Sequence, residues 1–312
     1  MDIRVLVTGV GGPAGTNVVN HSPSDIEIVT CDAESGAKKK LDAIGKSGLK
    51  FYQVPYARDE KRFIEAINDI LSKERIDLII PTVDEELLVF SRNRERFNAN
   101  VVVSSFETVN VCNDKYLFYK RFKEHGFSPR YVVTDSREEL MIFGKERIFM
   151  KPRIGRGSRG TRLFGSVDDI PKELINKNNV FCEHLPGYEY TSDVLCDLDG
   201  KPLVIMPRKR LEVYKGVCVR GKMEKNEKII KNIEKMCEVL KFIGPINIQF
   251  KIDSNGNPKL VEANPRFSGG LPISIGAGVN TLNLLYDLLR GKKIYKEKLV
   301  WQEIECSQKI ER

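Results

Sequence analysis

Several features that define common protein classes are missing from this sequence. Its seven cysteines lie far apart with no Cys-x-x-Cys pair, which argues against a zinc site or a disulfide framework and favours buried thiols. No apolar run approaches the ~20 residues that a membrane-spanning helix needs. The N-terminal residues MDIRVLVTGVGG enter a strand directly and lack the basic and apolar segments of a signal peptide. We therefore expect a cytoplasmic protein that does not bind a membrane.

The charges form no long run of one sign. Lys and Arg total 51 against 43 Asp and Glu, a formal net charge of +8, and the two signs are interspersed along the chain. This pattern argues against nucleic acid as a partner and favours small polyanions such as nucleotides. At 312 residues, the chain is longer than the ~250 residues at which a single core stops growing. We expect two or three packed units.

Roughly the first hundred residues alternate strand-like and helix-like segments. Apolar runs at Arg4 to Thr8, Ile26 to Cys31, Ile76 to Pro81 and Val101 to Ser104 read as strands, and Lys61 to Lys73 reads as a helix. Strands that alternate with helices in this way predict a parallel, doubly wound, Rossmann-like α/β sheet. We place this first domain at residues 1–108.

The pattern changes after a capped helix that runs from Asn113 to Gly126. Strand-like segments then follow one another with few helices between them, which predicts antiparallel sheet in an α+β domain. Helices are expected at Asn226 to Leu240 and Thr281 to Arg290. The strand-like segments are Arg147 to Lys151, Thr161 to Phe164, Val180 to Glu183 and Tyr190 to Cys196.

A first glycine cluster follows the first strand. Gly9, Gly11 and Ala14 have G-x-G-x-x-A spacing, and Asp32 ends the next strand about 20 residues later, as in a dinucleotide-binding fingerprint. One interpretation is an NAD(P)-dependent oxidoreductase. The other is that a tight strand-to-helix crossover needs glycine for close packing, and Pro13 inside the turn is unusual for a pyrophosphate site.

The end of the third strand-like run in this domain is acidic. Asp84, Glu85 and Glu86 follow Pro81 and Thr82, and ligands of open α/β sheets bind at the carboxyl ends of strands. The same residues also suit an exposed acidic start of a helix, because carboxylates are favourable there. Both interpretations stay open.

A second glycine cluster lies between two strands instead of before a helix. Gly155, Gly157 and Gly160 follow Lys151, and no GK[ST] of a Walker loop is present at this position. A glycine hairpin between strands behaves as a lid whose backbone N–H groups close over phosphates, with Lys151 as a phosphate-binding cation. The alternative is a mobile, solvated hairpin.

Hard oxygen ligands come together near the C-terminal end. The turn Asp253 to Pro258 predicts a hairpin in which Gln249 and Glu262 lie opposite each other, and Glu262 and Asn264 point to the same face. One carboxylate and two amides suit Mg²⁺, which commonly bridges substrate phosphates. The sequence therefore predicts a magnesium–nucleotide site, and the alternative is that E-x-N caps a turn before Pro265.

Taken together, these segments resemble the ATP-grasp superfamily, specifically its carbamoyl-phosphate-synthetase-like branch, which also contains amino-acid ligases such as the pyrrolysine-biosynthesis ligase. The resemblance covers nearly the whole chain and implies a Rossmann-like pre-ATP-grasp domain followed by an α+β ATP-grasp domain with two subdomains, a lid subdomain at residues 109–184 and a C-terminal subdomain at residues 185–312. Its motifs, in chain order, are DKYLFYKRFKEHG, MKPRIGRGSRG, CEHLPGYEYTSDV, NIQF and VEANPRFSGG.

The resemblance assigns roles by motif position. It implies that Lys115 and Lys151 bind the phosphates of ATP and that Arg266 steadies the transferred phosphoryl group or the acyl phosphate. It implies a lid formed by Gly155, Gly157, Ser158 and Gly160; an adenine hinge formed by Glu183, His184 and Leu185; a ribose contact from Glu189; and Mg²⁺ or Mn²⁺ ligands Gln249, Glu262 and Asn264.

One segment departs from the carbamoyl-phosphate enzymes. They have a histidine between hinge and metal strand, whereas this chain has Pro207 to Arg210 and no histidine there. This departure favours an amino-acid substrate over bicarbonate and makes Arg210 a second catalytic candidate, for the γ-phosphate or a substrate carboxylate. The alternative for the same run is a solvated basic hairpin.

The function implied is that of an ATP-dependent carboxylate–amine ligase that forms an acyl phosphate and releases ADP and phosphate. We expect small-molecule carboxylate and amine substrates and no nucleic acid, with a homodimer as one open option for assembly. Three alternatives stay open: the NAD(P)-dependent oxidoreductase, a carbamoyl-phosphate-synthetase-like fragment, and a nucleotide sensor without catalysis.

Overall fold

The computed structural model describes residues 3–155, 157 and 159–309. Its N-terminal domain is built on a five-stranded parallel sheet in the order β3-β2-β1-β4-β5, as the sequence predicts. Val5, Leu6 and Val7 of the central strand are fully buried, because helices cover both faces of the sheet. The strands are β1 (Arg4–Thr8), β2 (Glu27–Asp32), β3 (Lys50–Gln53), β4 (Leu78–Ile80) and β5 (Asn100–Val101), and the helices are α1 (Pro13–His21), α2 (Ala37–Ala43), α3 (Glu60–Glu74) and α4 (Asp84–Arg92).

Two short helices connect this domain to a four-stranded antiparallel sheet. Asp114 ends the first helix and caps the second, where its carboxylate accepts the backbone N–H of Tyr116 at 2.9 Å. The sheet has the order β6-β9-β7-β8. The domain boundary expected after residue 108 falls inside the first of these helices. The elements are α5 (Phe106–Asn113), α6 (Lys115–Phe122), β6 (Tyr131–Val132), α7 (Arg137–Leu140), β7 (Ile148–Pro152), β8 (Arg162–Phe164) and β9 (Asn179–Glu183).

The remaining chain forms a six-stranded antiparallel sheet in the order β14-β13-β10-β11-β12-β15. The antiparallel α+β architecture expected for this part of the chain is confirmed. The elements are β10 (Glu189–Cys196), β11 (Pro202–Tyr214), β12 (Val217–Met223), α8 (Glu227–Leu240), β13 (Gly244–Ile252), β14 (Pro258–Asn264), α9 (Leu271–Gly276), α10 (Thr281–Leu289) and β15 (Glu305–Ser307).

The N-terminal domain shares a hydrophobic core with the six-stranded sheet. Val5 and Val7 of β1 belong to the same buried cluster as Met206 of β11 and Leu285 of α10. A second buried cluster joins α6 and β9 to α8 and β13, so it also connects the two antiparallel sheets. Within the described residues no helix is long and apolar enough to cross a membrane.

The basic run Pro207 to Arg210 lies in the middle of β11 and is not a solvated hairpin. Arg208 is only 1% exposed, and its guanidinium pairs with Asp193 of β10, Nη1 to Oδ2 at 2.6 Å. The Oγ of Ser274 also contacts both partners, at 3.0 Å from Nη1 and 2.6 Å from Oδ2. A buried arginine is tolerated because its charge is paired and hydrogen-bonded in this way.

Candidate functional site

The predicted metal ligands lie together on one hairpin. The pairing of β13 with β14 shifts register between Phe250 and Gln249, and this shift places Gln249 directly opposite Glu262, so these two side chains share a face of the sheet. Asn264 lies two residues further on, and its Nδ2 donates to Oε1 of Glu262 at 3.2 Å. One carboxylate and two amides form a hard oxygen set of the kind that Mg²⁺ prefers. In the part of the chain that the structure describes, no group of three or more His, Cys, Asp or Glu side chains is placed to hold a metal ion.

A cleft brings this hairpin next to parts of the other two units. Glu262 and Asn264 line it, as do Lys115 from the start of α6 and Gly155 from the glycine hairpin. On its other wall are Asp84 and Glu85, at the start of α4 in the N-terminal domain. The cleft therefore joins four of the predicted site residues with the acidic strand end of the first domain.

Lys115 is held at the mouth of the glycine hairpin. Its backbone N–H donates to the carbonyl of Arg153 at 3.0 Å, and its Nζ donates to the carbonyl of Gly155 at 2.7 Å. Burial lowers the pKa of Lys115, the Glu262 carboxylate opposes that shift, and the neighbouring Lys151 adds to it. A buried cation beside a second cation favours an anionic ligand such as phosphate.

Lys151 on β7 is almost completely buried. Its Nζ lies 3.3 Å from the carbonyl oxygen of Val261 and 5.0 Å from the centre of the Tyr119 ring. The Tyr119 hydroxyl donates to the same carbonyl at 2.9 Å. The two predicted phosphate-binding lysines therefore approach the metal hairpin from α6 and β7, and Lys151 is fixed by an aromatic face.

The predicted hinge follows β9. The Glu183 carboxylate accepts the backbone N–H of Arg130 at 2.9 Å, and the His184 N–H donates to the carbonyl of Arg147 at 3.2 Å. Burial lowers the pKa of His184, and the charges of Arg147 and Lys251 lower it further. Leu185 is buried. The contacts of Glu183 and His184 fix the chain at this crossing, and their adenine-binding role stays a prediction.

Glu189 and Arg210 contact each other. The sequence assigns them separately, to the ribose and to the γ-phosphate or a substrate carboxylate, yet the structure joins them in an ion pair across β10 and β11. Arg210 also donates from Nη2 to the carbonyl of Gly216 at 2.8 Å, in the β11–β12 turn. Either residue must rearrange or share its partner to contact a nucleotide, and both roles stay predictions.

The glycine hairpin has the backbone that its composition suggests. Gly155, Gly157 and Gly160 have φ values of 144°, 62° and 74°, in the region that favours glycine. Gly157 lies against the β11–β12 turn, since a Cβ at Gly216 would be 3.7 Å from its Cα. Ser158, the remaining predicted lid residue, lies outside the described residues.

Arg266 follows the metal hairpin and binds Asp84 of the N-terminal domain through two hydrogen bonds. Its Nε and Nη2 donate to Oδ1 and Oδ2 at 2.7 and 3.0 Å, and its Nη1 donates to the carbonyl of Phe267 at 2.9 Å. Burial opposes the charged form, but Asp84, by charge and hydrogen bonding, raises the pKa of Arg266 overall. Sequence reasoning singled out both residues without pairing them, because 182 positions separate them.

The first glycine cluster has a packing role in this structure. Both oxygens of Asp32 accept backbone N–H groups, from Gly11 and Glu34, each at 2.7 Å. A Cβ at Gly15 would lie 2.5 Å from the carbonyl oxygen of Gly9, so the crossover from β1 to α1 requires glycine there. The Asp32 carboxylate, which would hold the ribose in a dinucleotide site, is thus already hydrogen-bonded to the turn.

Two family models match separate parts of the chain. The model described as "PylC-like, N-terminal domain" matches residues 20–104, and the model described as "ATP-grasp in the biosynthetic pathway with Ter operon" matches residues 176–309. The carbamoyl phosphate synthase large chain of Thermotoga neapolitana is 23% identical over 74% of this chain. The present chain spans only 23% of the length of that relative.

Solved structures share the fold at low sequence identity. N5-carboxyaminoimidazole synthetase from Staphylococcus aureus, complexed with ADP, superposes with a TM-score of 0.75 at 15% identity, over 94% of this chain and 78% of that one. The L-amino acid ligase from Bacillus licheniformis gives a TM-score of 0.69 at 15% identity, over 92% of this chain and 74% of that one. At such identities the likeness concerns the fold alone.

Proposed function

We propose that this chain, which belongs to the carbamoyl-phosphate-synthetase-like branch of the ATP-grasp superfamily, is an ATP-dependent carboxylate–amine ligase. The observation that carries the proposal is the cleft in which Glu262 and Asn264 meet Lys115 and Gly155. Phosphoryl transfer from ATP requires oxygen ligands for a divalent cation, a cationic side chain that binds phosphate, and a glycine hairpin that covers the phosphates.

The reaction has two steps. A carboxylate oxygen of the first substrate attacks the γ-phosphorus, the bond from that phosphorus to the bridging oxygen breaks, and ADP leaves. The amine nitrogen of the second substrate then attacks the acyl carbon, the carbon–oxygen bond to phosphate breaks, and the nitrogen loses a proton. The products are an amide, ADP and phosphate.

The side chains of the cleft contribute mainly charge and position. Lys115 and Lys151 bind phosphate oxygens, and Arg266 stabilises the group in transfer. Glu262, Asn264 and Gln249 would hold Mg²⁺, which when bound neutralises charge on the phosphate oxygens. The glycine hairpin excludes water from the acyl phosphate, which would otherwise hydrolyse.

We further propose an amino acid as the carboxylate substrate. The run Pro207 to Arg210, where the sequence has no histidine, lies in β11 in the middle of the six-stranded sheet, and Arg210 pairs there with Glu189 of β10. A cation and an anion side by side suit the carboxylate and ammonium groups of an amino acid better than bicarbonate, which carries no ammonium group.

The test is ADP release from Mg-ATP with amino acids offered singly and in pairs, with Glu262→Gln as the inactive control. Release that requires two amino acids, with a stoichiometric amide product, is the expected result. Release with bicarbonate alone would favour the carbamoyl-phosphate-synthetase-like fragment. Binding of Mg-ATP without release in any arm would favour a nucleotide sensor, and stabilisation by NADH and not by Mg-ATP would favour the oxidoreductase.

A further inference from the structure

The ion pair between Arg266 and Asp84 is built from two separate domains. Asp84 is the first residue of α4, four positions after the end of β4, so its backbone is fixed by the central part of the parallel sheet. Arg266 follows β14 through a tight turn in which its N–H donates to the carbonyl of Asn264 at 2.8 Å. Both side chains are 17% exposed. The contact is therefore rigid on both sides and largely protected from solvent.

We infer that Asp84 is a positioning residue that holds the Arg266 guanidinium away from the metal-binding carboxylate of Glu262, an inference that rests on the proposed function. After Asp84, the acid with the largest electrostatic influence on Arg266 is Glu262. Glu262 lies on β14, two residues before the end of the strand at Asn264, and it lines the same cleft as Asp84. A guanidinium that lost Asp84 would turn to this carboxylate, because a largely buried charge requires a partner.

The consequence is first for binding of the divalent cation and only then for the reaction. Glu262 is the one carboxylate in the predicted metal set, and a carboxylate paired with arginine is a poorer ligand for a divalent cation. Asp84, which takes both Nε and Nη2 of Arg266, keeps Glu262 available. The N-terminal domain thereby controls the metal affinity of the C-terminal sheet.

The experiment titrates Mn²⁺ against the full chain with saturating ADP and follows bound Mn²⁺ by electron paramagnetic resonance. Asp84→Asn, which keeps the shape and removes the charge, is expected to weaken Mn²⁺ binding about tenfold. The double variant Asp84→Asn with Arg266→Met is expected to restore most of the lost affinity, since the competing cation is gone. A role of Asp84 in folding alone would not give this rescue.

Asp25→Asn is the matched control. Asp25 forms another ion pair between the same two parts of the chain, with Oδ2 2.8 Å from Nη2 of Arg290. It precedes β2 and lies at the amino edge of the parallel sheet, whereas Asp84 lies at the carboxyl edge. Its loss should leave Mn²⁺ affinity unchanged.

Two failures can be told apart. If Glu262→Gln binds Mn²⁺ as tightly as the wild type, the proposed site is wrong, and the inference about Asp84 falls with it. If Glu262→Gln weakens binding but Asp84→Asn does not, only the inference about Asp84 is overturned. The same holds if Asp84→Asn weakens binding and the double variant gives no rescue. Should Asp84→Asn fail to fold, Asp84→Ser takes its place with the same loss of about tenfold expected, and unchanged Mn²⁺ affinity in Asp84→Ser would overturn the inference.

Discussion

Lys151 and Tyr119 share one acceptor: the ammonium and the phenolic hydroxyl both contact the carbonyl oxygen of Val261, and the ammonium lies 5.0 Å from the centre of the ring. The lysine comes from β7 and the tyrosine from α6, and the shared carbonyl belongs to β14, the strand that carries Glu262. This arrangement fixes the direction of a buried cation before any ligand binds. Preorganisation of this kind reduces the entropy that phosphate binding would otherwise cost.

The ring of Tyr119, more than its hydroxyl, should support nucleotide binding. Tyr119→Leu removes the aromatic face under Lys151 and is expected to weaken Mg-ADP binding about fivefold, as a desolvated cation–π contact would. Tyr119→Phe keeps the face, and should bind within about twofold of wild type while losing about 1 kcal/mol of stability from the hydrogen bond. Calorimetric titration and denaturant unfolding measure both quantities. Wild-type ADP affinity in Tyr119→Leu would contradict this role.

Nucleotide affinity should decline at high pH through Lys115. Burial lowers the pKa of free Lys115, and bound phosphate raises it, so binding takes up a proton. The affinity for Mg-ADP is therefore highest below the pKa that Lys115 has in the free protein. It falls as pH rises from that value to the pKa that Lys115 has in the complex. The fall should begin at a lower pH than an ordinary lysine would give. Titration of Mg-ADP from about pH 7 to about pH 10 tests this.

Lys115→Arg is the control for that pH dependence. A guanidinium stays charged over the whole range, so the variant should show a flatter profile even if its affinity at neutral pH is reduced. Parallel profiles in the variant and the wild type would mean that Lys115 does not meet the phosphates.

The two ligands on β14 should be essential for the reaction and dispensable for the fold. Glu262→Gln and Asn264→Ala are expected to lower ligation by at least about a hundredfold, because each removes a ligand at the centre of phosphoryl transfer. Both side chains are half-buried at the cleft and away from the main hydrophobic clusters, so melting temperatures should change little. Activity near the wild-type level at saturating magnesium, in both variants, would refute the assignment.

Gly157 should matter for the reaction more than for stability. Gly157→Val forces a branched side chain onto a backbone with φ of 62°, which is expected to lower turnover and weaken ATP binding by about tenfold. Gly45→Val is a matched control, because Gly45 has φ of 74°, equally open surroundings and a place in the N-terminal domain. We expect the two variants to lose the same amount of stability. Only Gly157→Val should lose ATP binding. Unchanged ATP kinetics in Gly157→Val would make the loop a structural hairpin.

The sequence is sufficient to predict the parallel sheet, the antiparallel sheets and the metal hairpin, because each depends on local periodicity and turn residues. The turn Asp253 to Pro258 sets the register as far as Phe250 opposite Leu260, and continued without a break it would pair Gln249 with Val261. An irregularity in the pairing between Gln249 and Phe250 brings Gln249 opposite Glu262 instead, and the turn residues do not report this shift. The pairing of Asp84 with Arg266 depends instead on how two domains pack. No local pattern reports such packing, although the acidic end of β4 is recognisable as a candidate.

Two further features show why sequence patterns are ambiguous. The run around Arg208 looks solvated because its partner Asp193 lies on a neighbouring strand, 15 residues away, and Ser274 lies 66 residues away. The first glycine cluster looks like a dinucleotide turn because the same short spacing also lets Asp32 hold the turn through Gly11. In both cases the same sequence pattern is compatible with two structures. The hydrogen-bond partner of the charged side chain shows which of the two is formed.

The way α1 meets the turn after β14 limits how this chain could be recombined with its relatives. Asn17 donates to the carbonyl of Gly269 at 3.0 Å, and a Cβ at Gly269 would lie 3.1 Å from the Cβ of Pro13. The N-terminal domain is therefore not an interchangeable module. A chimera that imports this domain from another protein must import the residues that follow β14 with it, so we expect substitutions in the two segments to be inherited as pairs.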